Sequence, residues 1–519
     1  MESQASDTRF YNAADDLIER NLTARPKKIA YIDAHGSYSY ADLAERMNCC
    51  ANALTGLGLE MESRIVLALL DSIDFPAVFL GAIKAGIVPI PVNTLLTSAD
   101  FDFMLRDSRA RALIVSAPLL PAFMPILDKQ PFLKHVLVSG ESSSGYSSLS
   151  EITARAATSF VAAPTRQDDA CFWLYSSGST GTPKGVVHAQ TSMIQTAELY
   201  AKPVLGILEN DVVFSAAKLF FAYGLGNALS FPLSVGATTV LLADRPTPQA
   251  VCRILREYRP TIFYGVPTLY SALLSSGALP DKRDLSLRRC TSAGEALPPD
   301  VGRRWLEHTG IDILDGLGST EMLHIFLSNR PGDVRYGTSG KPVPGYDIRL
   351  LDEDGTPVNR GEIGELQVRG PTSASYYWNN REKSRQTFLG SWTRSGDKYS
   401  ETDDGYYICS GRNDDMLKVG GIWVSPFEVE SALTSHTAVL ESAVVAHPDE
   451  NGLIKPKAYV VLRPNITATD ELIAELQKHV KDRLAPYKYP RWIEFVTELP
   501  KTATGKIQRF RLRAAAPQA

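Results

Sequence analysis

Between residues 65 and 292, short apolar runs alternate with longer stretches of helical spacing, and this limits the possible folds more than any other feature. Ile65-Val-Leu-Ala-Leu-Leu70 reads as a buried strand, 75–85 as a helix, Val88-Pro-Ile-Pro-Val92 as an extended segment, 98–106 as a helix and 112–116 as a strand. The pattern resumes with strands at 212–215, 238–242 and 261–264 and a helix over 247–258. Parallel neighbours need crossover helices, which cover both sheet faces and make the strands apolar throughout. The expected class is therefore α/β. Two helices, 12–21 and 40–57, precede this region; beyond Val334, short β-like pieces with Gly/Pro turns predict a compact β subdomain. From Asp414 onward, two helical segments and several strands read as a small α+β domain. The chain thus divides into 1–413, a large domain of layered α/β subdomains plus the β subdomain, and 414–519, a small mobile domain.

A chain of 519 residues is long for a single core, and its 44% apolar content supplies ample material for two. The net charge of −4 carries no nucleic-acid footprint. Lys84, Pro89 and Pro91 interrupt the most apolar stretch, so no membrane span is expected. The N-terminus lacks a basic region followed by an apolar run, and so is no signal peptide. Six scattered cysteines without a CxxC pair disfavour both a disulfide framework and structural zinc, and suit a reducing cytoplasm.

The apolar run Cys171-Phe-Trp-Leu-Tyr175 leads into Ser176-Ser-Gly-Ser-Thr-Gly-Thr-Pro-Lys-Gly185. Gly178 and Gly181 let the backbone turn its N–H groups to one point, Ser176, Ser177, Ser179 and Thr180 add hydroxyl donors, and Lys184 adds a cation. That combination suits a polyphosphate better than a flexible linker does, because strand-like runs bound it on both sides. It is not a Walker loop: Lys184 is followed by Gly185, so no hydroxyl follows the lysine. Two further loops, Thr291-Ser-Ala-Gly-Glu-Ala-Leu297 and Asp315-Gly-Leu-Gly-Ser-Thr-Glu321, follow strand-like runs. Strand carboxyl ends are where open α/β sheets bind ligands, which makes Gly294, Glu295 and Asp315 nucleotide-contact candidates. Glu321 is placed to hold Mg²⁺ against phosphate oxygens, with Thr320 donating to phosphate; the alternative is an ordinary helix N-terminus.

Together these loops resemble the core motifs of the adenylate-forming superfamily of acyl- and aryl-CoA synthetases, luciferases and peptide-synthetase adenylation domains. Three more stretches match in the family's order: Ser395-Gly-Asp397, Gly411-Arg-Asn-Asp-Asp-Met-Leu-Lys418 running into Val419-Gly-Gly-Ile422, and Pro500-Lys-Thr-Ala-Thr-Gly-Lys-Ile-Gln-Arg509. The resemblance implies that Asp397 grips the ribose hydroxyls with Arg412 nearby. It implies that Asp414 is a hinge pivot, that Gly420 and Gly421 line a pantetheine path, and that Lys506 serves adenylation. Leu317 departs from the family, standing where an aromatic often stacks on adenine.

Substrate class rests on Lys218-Leu-Phe-Phe-Ala-Tyr-Gly-Leu-Gly226, whose aromatic and small residues suit a flat apolar pocket. A dinucleotide reading of Gly224-Leu-Gly226 fails because Leu229 replaces the third glycine. With Gly318-Ser-Thr-Glu-Met-Leu-His-Ile-Phe326, the stretch resembles the benzoate-CoA ligase branch. By that resemblance the ring lies against Ala222, Tyr223, Gly318, His324 and Ile325. The implied activity is an ATP-dependent aryl-CoA ligase using ATP, Mg²⁺ and CoA, and forming benzoyl-CoA, AMP and pyrophosphate through an aryl-adenylate. Small molecules are the expected partners, with neither nucleic acid nor membrane, on a monomer or homodimer. Two alternatives stay open: an adenylation enzyme loading a carrier-protein thiol, and a regulatory nucleotide-binding protein with an inactive site.

Overall fold

A computed structural model describes residues 10–141, 145–176, 183–412, 415–419, 422–450, 453–501 and 507–514. Strands 112–116 and 64–68 are flanked by 88–91, 135–139 and 147–148 in an all-parallel five-stranded sheet. Its strands are buried along most of their length, as expected where helices cover both faces. The helices Tyr40–Gly56 and Asp74–Lys84 cross closely on one face. A Cβ at Gly81 would come within 2.7 Å of Cys50 Cβ and the Met47 carbonyl, so only glycine permits that approach. Ser39 and Asp42 close a capping box at the start of the first of these helices, and Thr97 and Asp100 do the same at 98.

The second sheet has nine strands. Its central members, 238–240, 212–215, 262–265, 289–292 and 313–318, run parallel. Antiparallel strands close both edges, 36–39 on one side and 325–328 with 341–342 on the other. Every predicted strand and helix between 65 and 264 is present to within a few residues.

Two features depart from simple alternation. The run expected at 171–175 forms strand Ala170–Ser176, but its partner is the antiparallel strand Lys184–Ala189, with Tyr376–Tyr377 on the far side. The Ser/Gly/Thr loop is thus strung across a hairpin. Residues 222–235 form one continuous helix whose middle, Gly226–Ser230, widens into π-helical turns. Such widening often marks a functional surface.

The β subdomain expected beyond 334 is a separate five-stranded antiparallel sheet built on 347–351, 364–369 and 392–401. After it comes the small C-terminal domain: the sheet 439–448, 454–462 and 492–495, packed by helices Pro426–Thr434 and Asp470–Lys481. A third helix, Arg509–Ala514, corrects the expectation of two. Its polar and basic composition, Arg509-Phe-Arg-Leu-Arg-Ala514, hides the one-sided burial of Leu512.

Candidate active site

Strand Ile313–Gly318 ends at the sheet's carboxyl edge and turns at Ser319–His324 into strand Ile325–Ser328. No helix follows Glu321, so the helix-cap alternative for Thr320 and Glu321 is not realised. The turn is tightly fixed. The Met322 N–H donates to Ser319 Oγ at 3.1 Å, and Leu323 N–H to the Thr320 carbonyl at 3.1 Å. Leu323 itself has φ 65°, a strained value for a non-glycine residue and of the kind that gathers at functional sites.

Glu321 is where separate elements meet. The Tyr377 hydroxyl donates to its Oε1 at 2.8 Å and Ser176 Oγ to the same atom at 3.4 Å. Lys184 Nζ lies 4.8 Å from the centre of the Tyr377 ring. Buried His188, on the strand that follows the loop, bonds through Nε2 to the Thr320 carbonyl at 2.9 Å, and burial pushes its imidazole down to about 4. Both ends of the hydroxyl loop therefore approach Glu321; Ser177, Gly178, Ser179, Thr180 and Gly181 lie outside the described residues. Among the described residues no group of three His, Cys, Asp or Glu side chains could enclose a metal. A hard carboxylate beside Ser176, where the hydroxyl loop begins, fits Mg²⁺, which shares its shell with substrate oxygens and water.

On the strand that leads into this turn, Asp315 is buried. Its Oδ2 accepts from the Leu297 N–H at 3.3 Å, its Oδ1 is buried without a partner, and desolvation pushes its carboxyl up to about 8. The neighbouring loop turns at Gly294, φ 96°, and presents Glu295, whose Oε1 accepts the Ile507 N–H at 3.1 Å. That bond joins the large domain to the C-terminal tail.

On the β subdomain, Asp397 and Arg412 are register partners across two strands. Arg412 Nη1 donates to Asp397 Oδ1 at 3.0 Å and to the Ser395 carbonyl at 3.1 Å. Gly396, φ 77°, leaves room for the guanidinium, which a Cβ there would meet at 2.9 Å. Asp414, Gly420, Gly421 and Lys506 lie outside the described residues.

The expected ring pocket is also brought together. Gly318 pairs with Ile325, and a Cβ at Gly318 would come within 2.7 Å of the His324 carbonyl. The ring of His324 packs 5.5 Å from that of Tyr223, and Tyr200 and Phe231 complete an aromatic wall at 5.4 and 4.5 Å. Ala222 opens the helix that carries Tyr223. The Tyr223 hydroxyl shares a 2.5 Å hydrogen bond with Thr291 Oγ1. Asn227 sits in the widened turn with Oδ1 3.1 Å from His324 Nε2, and burial pushes the imidazole down to about 3. The ring is therefore neutral at working pH. Leu317 packs against the core beneath this wall.

Tyr377, His188, Tyr200 and Asn227 were not among the sequence-derived candidates. Only Asn227, next to the Gly224-Leu-Gly226 run, lay near a recognisable pattern.

Two family models match: AMP-binding enzyme over 18–378 and AMP-binding enzyme C-terminal domain over 428–506. The chain belongs to the AMP-binding enzyme family. It is similar to a benzoate–CoA ligase of Thauera aromatica, 63% identical over 97% of this chain and 96% of that protein. Among solved structures it is similar to a benzoate CoA ligase from Burkholderia xenovorans, at TM-score 0.92 and 55% identity, covering 97% of this chain and all of that one. It is also similar to an anthranilate CoA ligase in complex with anthranoyl-AMP, at TM-score 0.94 and 48% identity over 98% and 97% of the two chains.

Proposed function

We propose that this protein joins benzoate, or a substituted benzoate, to coenzyme A at the expense of ATP, through an enzyme-bound aryl-adenylate. The observation that carries the reading is one short turn with chemistry on both sides. Its Glu321 meets Ser176 and Tyr377, while its other end, with Gly318 and Ile325, closes an aromatic pocket around neutral His324. Phosphate chemistry thus stands beside a cluster of aromatic rings suited to flank a flat acid.

In the first half-reaction, a carboxylate oxygen of the aromatic acid attacks the ATP α-phosphorus and pyrophosphate leaves. The loop hydroxyls of Ser176, Ser177, Ser179 and Thr180, with Lys184, cradle the leaving phosphates, and Thr320 donates to the phosphate under attack. Lys506 bridges the two negatively charged reactants, lowering their repulsion and aligning them. Asp397 accepts the ribose hydroxyls, with Arg412 holding its carboxylate in place. Gly294, Glu295 and Asp315 border the nucleotide. Glu321 would hold Mg²⁺, which when bound neutralises charge on the phosphate oxygens. In the second half-reaction, the small domain, 414–519, turns about Asp414 relative to the large domain, 1–413. The Gly420–Gly421 backbone then flanks the pantetheine thiol, whose sulfur forms a bond to the acyl carbon as the bond to AMP breaks. Neutral His324 and Tyr223 contribute shape rather than charge, which favours an uncharged ring.

ATP, Mg²⁺ and CoA are the co-substrates and ion this reading requires. Cytoplasmic location is supported by six free cysteines among the described residues. No described helix is long and apolar enough to cross a membrane. The assembly is a monomer or homodimer. The test is CoA-thioester formation across benzoate, hydroxy-, amino- and halobenzoates, cyclohexanecarboxylate and cinnamate. Turnover confined to single-ring aromatic acids supports the reading; preference for an aliphatic acid would overturn it.

A further inference from the structure

We infer that Asp71 and Lys218 are positioning residues for the aromatic acid: a charge pair between the two parallel sheets that fixes the turn from which the pocket helix 222–235 starts. The inference rests on the proposed function above and gives neither residue a part in the chemistry of either half-reaction.

Strand Val212–Ser215 ends at the carboxyl edge of the nine-stranded sheet, and residues 216–221 carry the chain into the helix. Such a turn has no hydrogen-bond ladder of its own, so its shape comes from what it touches. Lys218 is its centre. The Lys218 carbonyl accepts the Phe221 N–H at 3.0 Å. A Cβ at Gly224 would come within 2.0 Å of the same oxygen, so the first turn of the helix is seated directly on Lys218. Ala222 and Tyr223, two of the expected pocket residues, lie between these contacts.

The side chains lock that seat from both sheets. The Lys218 side chain is 17% exposed and that of Asp71 4%. Lys218 Nζ donates to the carbonyls of Leu242, of Ala243 at 3.3 Å and of Asp244 at 2.7 Å, just beyond strand 238–240. Asp71 comes from the other sheet, in the turn between strand 64–68 and helix Asp74–Lys84. Its Oδ2 lies 3.9 Å from Lys218 Nζ, and its Oδ1 accepts the Leu219 N–H at 3.3 Å. The turn that bears Asp71 is itself held, through the Leu70 N–H on Ser116 Oγ at 3.0 Å and the Ile73 N–H on Asp33 Oδ2 at 2.9 Å. Burial pushes the Asp71 carboxyl up to about 6 and lowers the Lys218 ammonium, and both are charged at pH 7.5. Buried charges that are paired and hydrogen-bonded hold one geometry, because displacement leaves them unpaired at high cost. The pair thus clamps the turn, and with it the wall that Ala222 and Tyr223 give the acid. The phosphate-side groups Ser176, Glu321 and Tyr377 stand on or beside other strands.

The test compares Asp71→Asn, Lys218→Met and the double variant with wild type at pH 7.5. Pyrophosphate release gives KM for benzoate and for ATP, and urea unfolding gives stability. Each single variant should raise KM for benzoate about tenfold, the scale of one hydrogen bond to a charged group, with KM for ATP within about twofold. Each should also lower the urea midpoint, since one buried charge loses its partner. The double variant removes both charges and should regain most of the midpoint while KM for benzoate stays raised. Asp71→Asn keeps the size of the side chain and an acceptor for the Leu219 N–H, so it decides the matter should Lys218→Met fail to fold. A benzoate KM that recovers with the midpoint, that rises in step with KM for ATP, or that does not move overturns the positioning role. If wild-type protein releases no benzoate-dependent pyrophosphate, the proposed function fails and this inference with it.

Discussion

At the residue scale, Tyr377 and His324 carry consequences that their chemistry fixes. Tyr377 donates to the Glu321 oxygen that also receives Ser176, so its hydroxyl sets where that carboxylate points. Tyr377→Phe should slow benzoate-dependent pyrophosphate release about tenfold, the scale of one hydrogen bond to a charged acceptor. It should also raise the Mg²⁺ concentration needed for half-maximal rate, and a magnesium titration of both proteins checks this. His324 has its imidazole pushed by burial from 6.5 to about 3. Its stabilising contribution is thus complete above pH 6.5 and is lost as pH falls toward 3, because the unfolded chain takes up the proton first. At pH 5 the loss amounts to about 2 kcal/mol, which His324→Gln should remove from the difference between urea unfolding at pH 7.5 and at pH 5. Sequence made such residues unequally legible. His324 was found because it follows Glu321 in a motif, whereas Tyr377 stands in a run, Ser375-Tyr-Tyr-Trp-Asn379, with no spacing that points to a carboxylate 56 positions earlier. A contact made only by tertiary folding leaves no local pattern.

At the element scale, the helix 222–235 shows how an irregular turn shapes a pocket. Its π-helical centre brings Gly226 against His324, where a Cβ would meet Cδ2 at 2.4 Å. Gly226→Ala should cost about 1–3 kcal/mol, as overpacking in a rigid core does. It should also raise KM for benzoate more than KM for ATP, since the displaced ring walls the acid's slot; denaturant unfolding and steady-state kinetics measure the two effects. The parallel strands were readable because each is a short apolar run between stretches of helical spacing, and the helix at 40–57 because Leu43, Met47, Ala51 and Leu54 recur at that spacing. The hairpin carrying the hydroxyl loop was not, because Ala170–Ser176 and Lys184–Ala189 are apolar enough to pass for buried parallel strands. Strand direction is set by partners distant in sequence, and composition does not encode it.

At the scale of the whole molecule, two domains meet through a tail that inserts a backbone N–H into the large domain's loop. If, as proposed, one active site is assembled twice, its two half-reactions should be separable by mutation. Lys506→Ala is expected to reduce adenylation by at least a hundredfold while leaving thioester formation from supplied adenylate within about threefold, the partition expected of a group that acts on only one transition state. Equal loss in both half-reactions would count against alternation about Asp414. The β subdomain and the small C-terminal domain were each visible as a change in element type along the chain. How the large and small domains sit together was not, since a single hydrogen bond from Ile507 has no signature in composition.

The sheet that carries the hydroxyl loop has one more implication. Tyr376 is 41% exposed and Tyr377 3%, because neighbours along a strand face opposite ways. A single residue inserted just upstream would move Tyr376 into the inward place facing Glu321, whereas a deletion would bring Trp378, which has no hydroxyl, there. The doubled tyrosine thus makes this strand tolerant of slippage in one direction, in which the second phenol takes the first one's place beside the carboxylate. A one-residue insertion here can therefore keep a hydroxyl beside Glu321, where a lone tyrosine would have been carried out of reach.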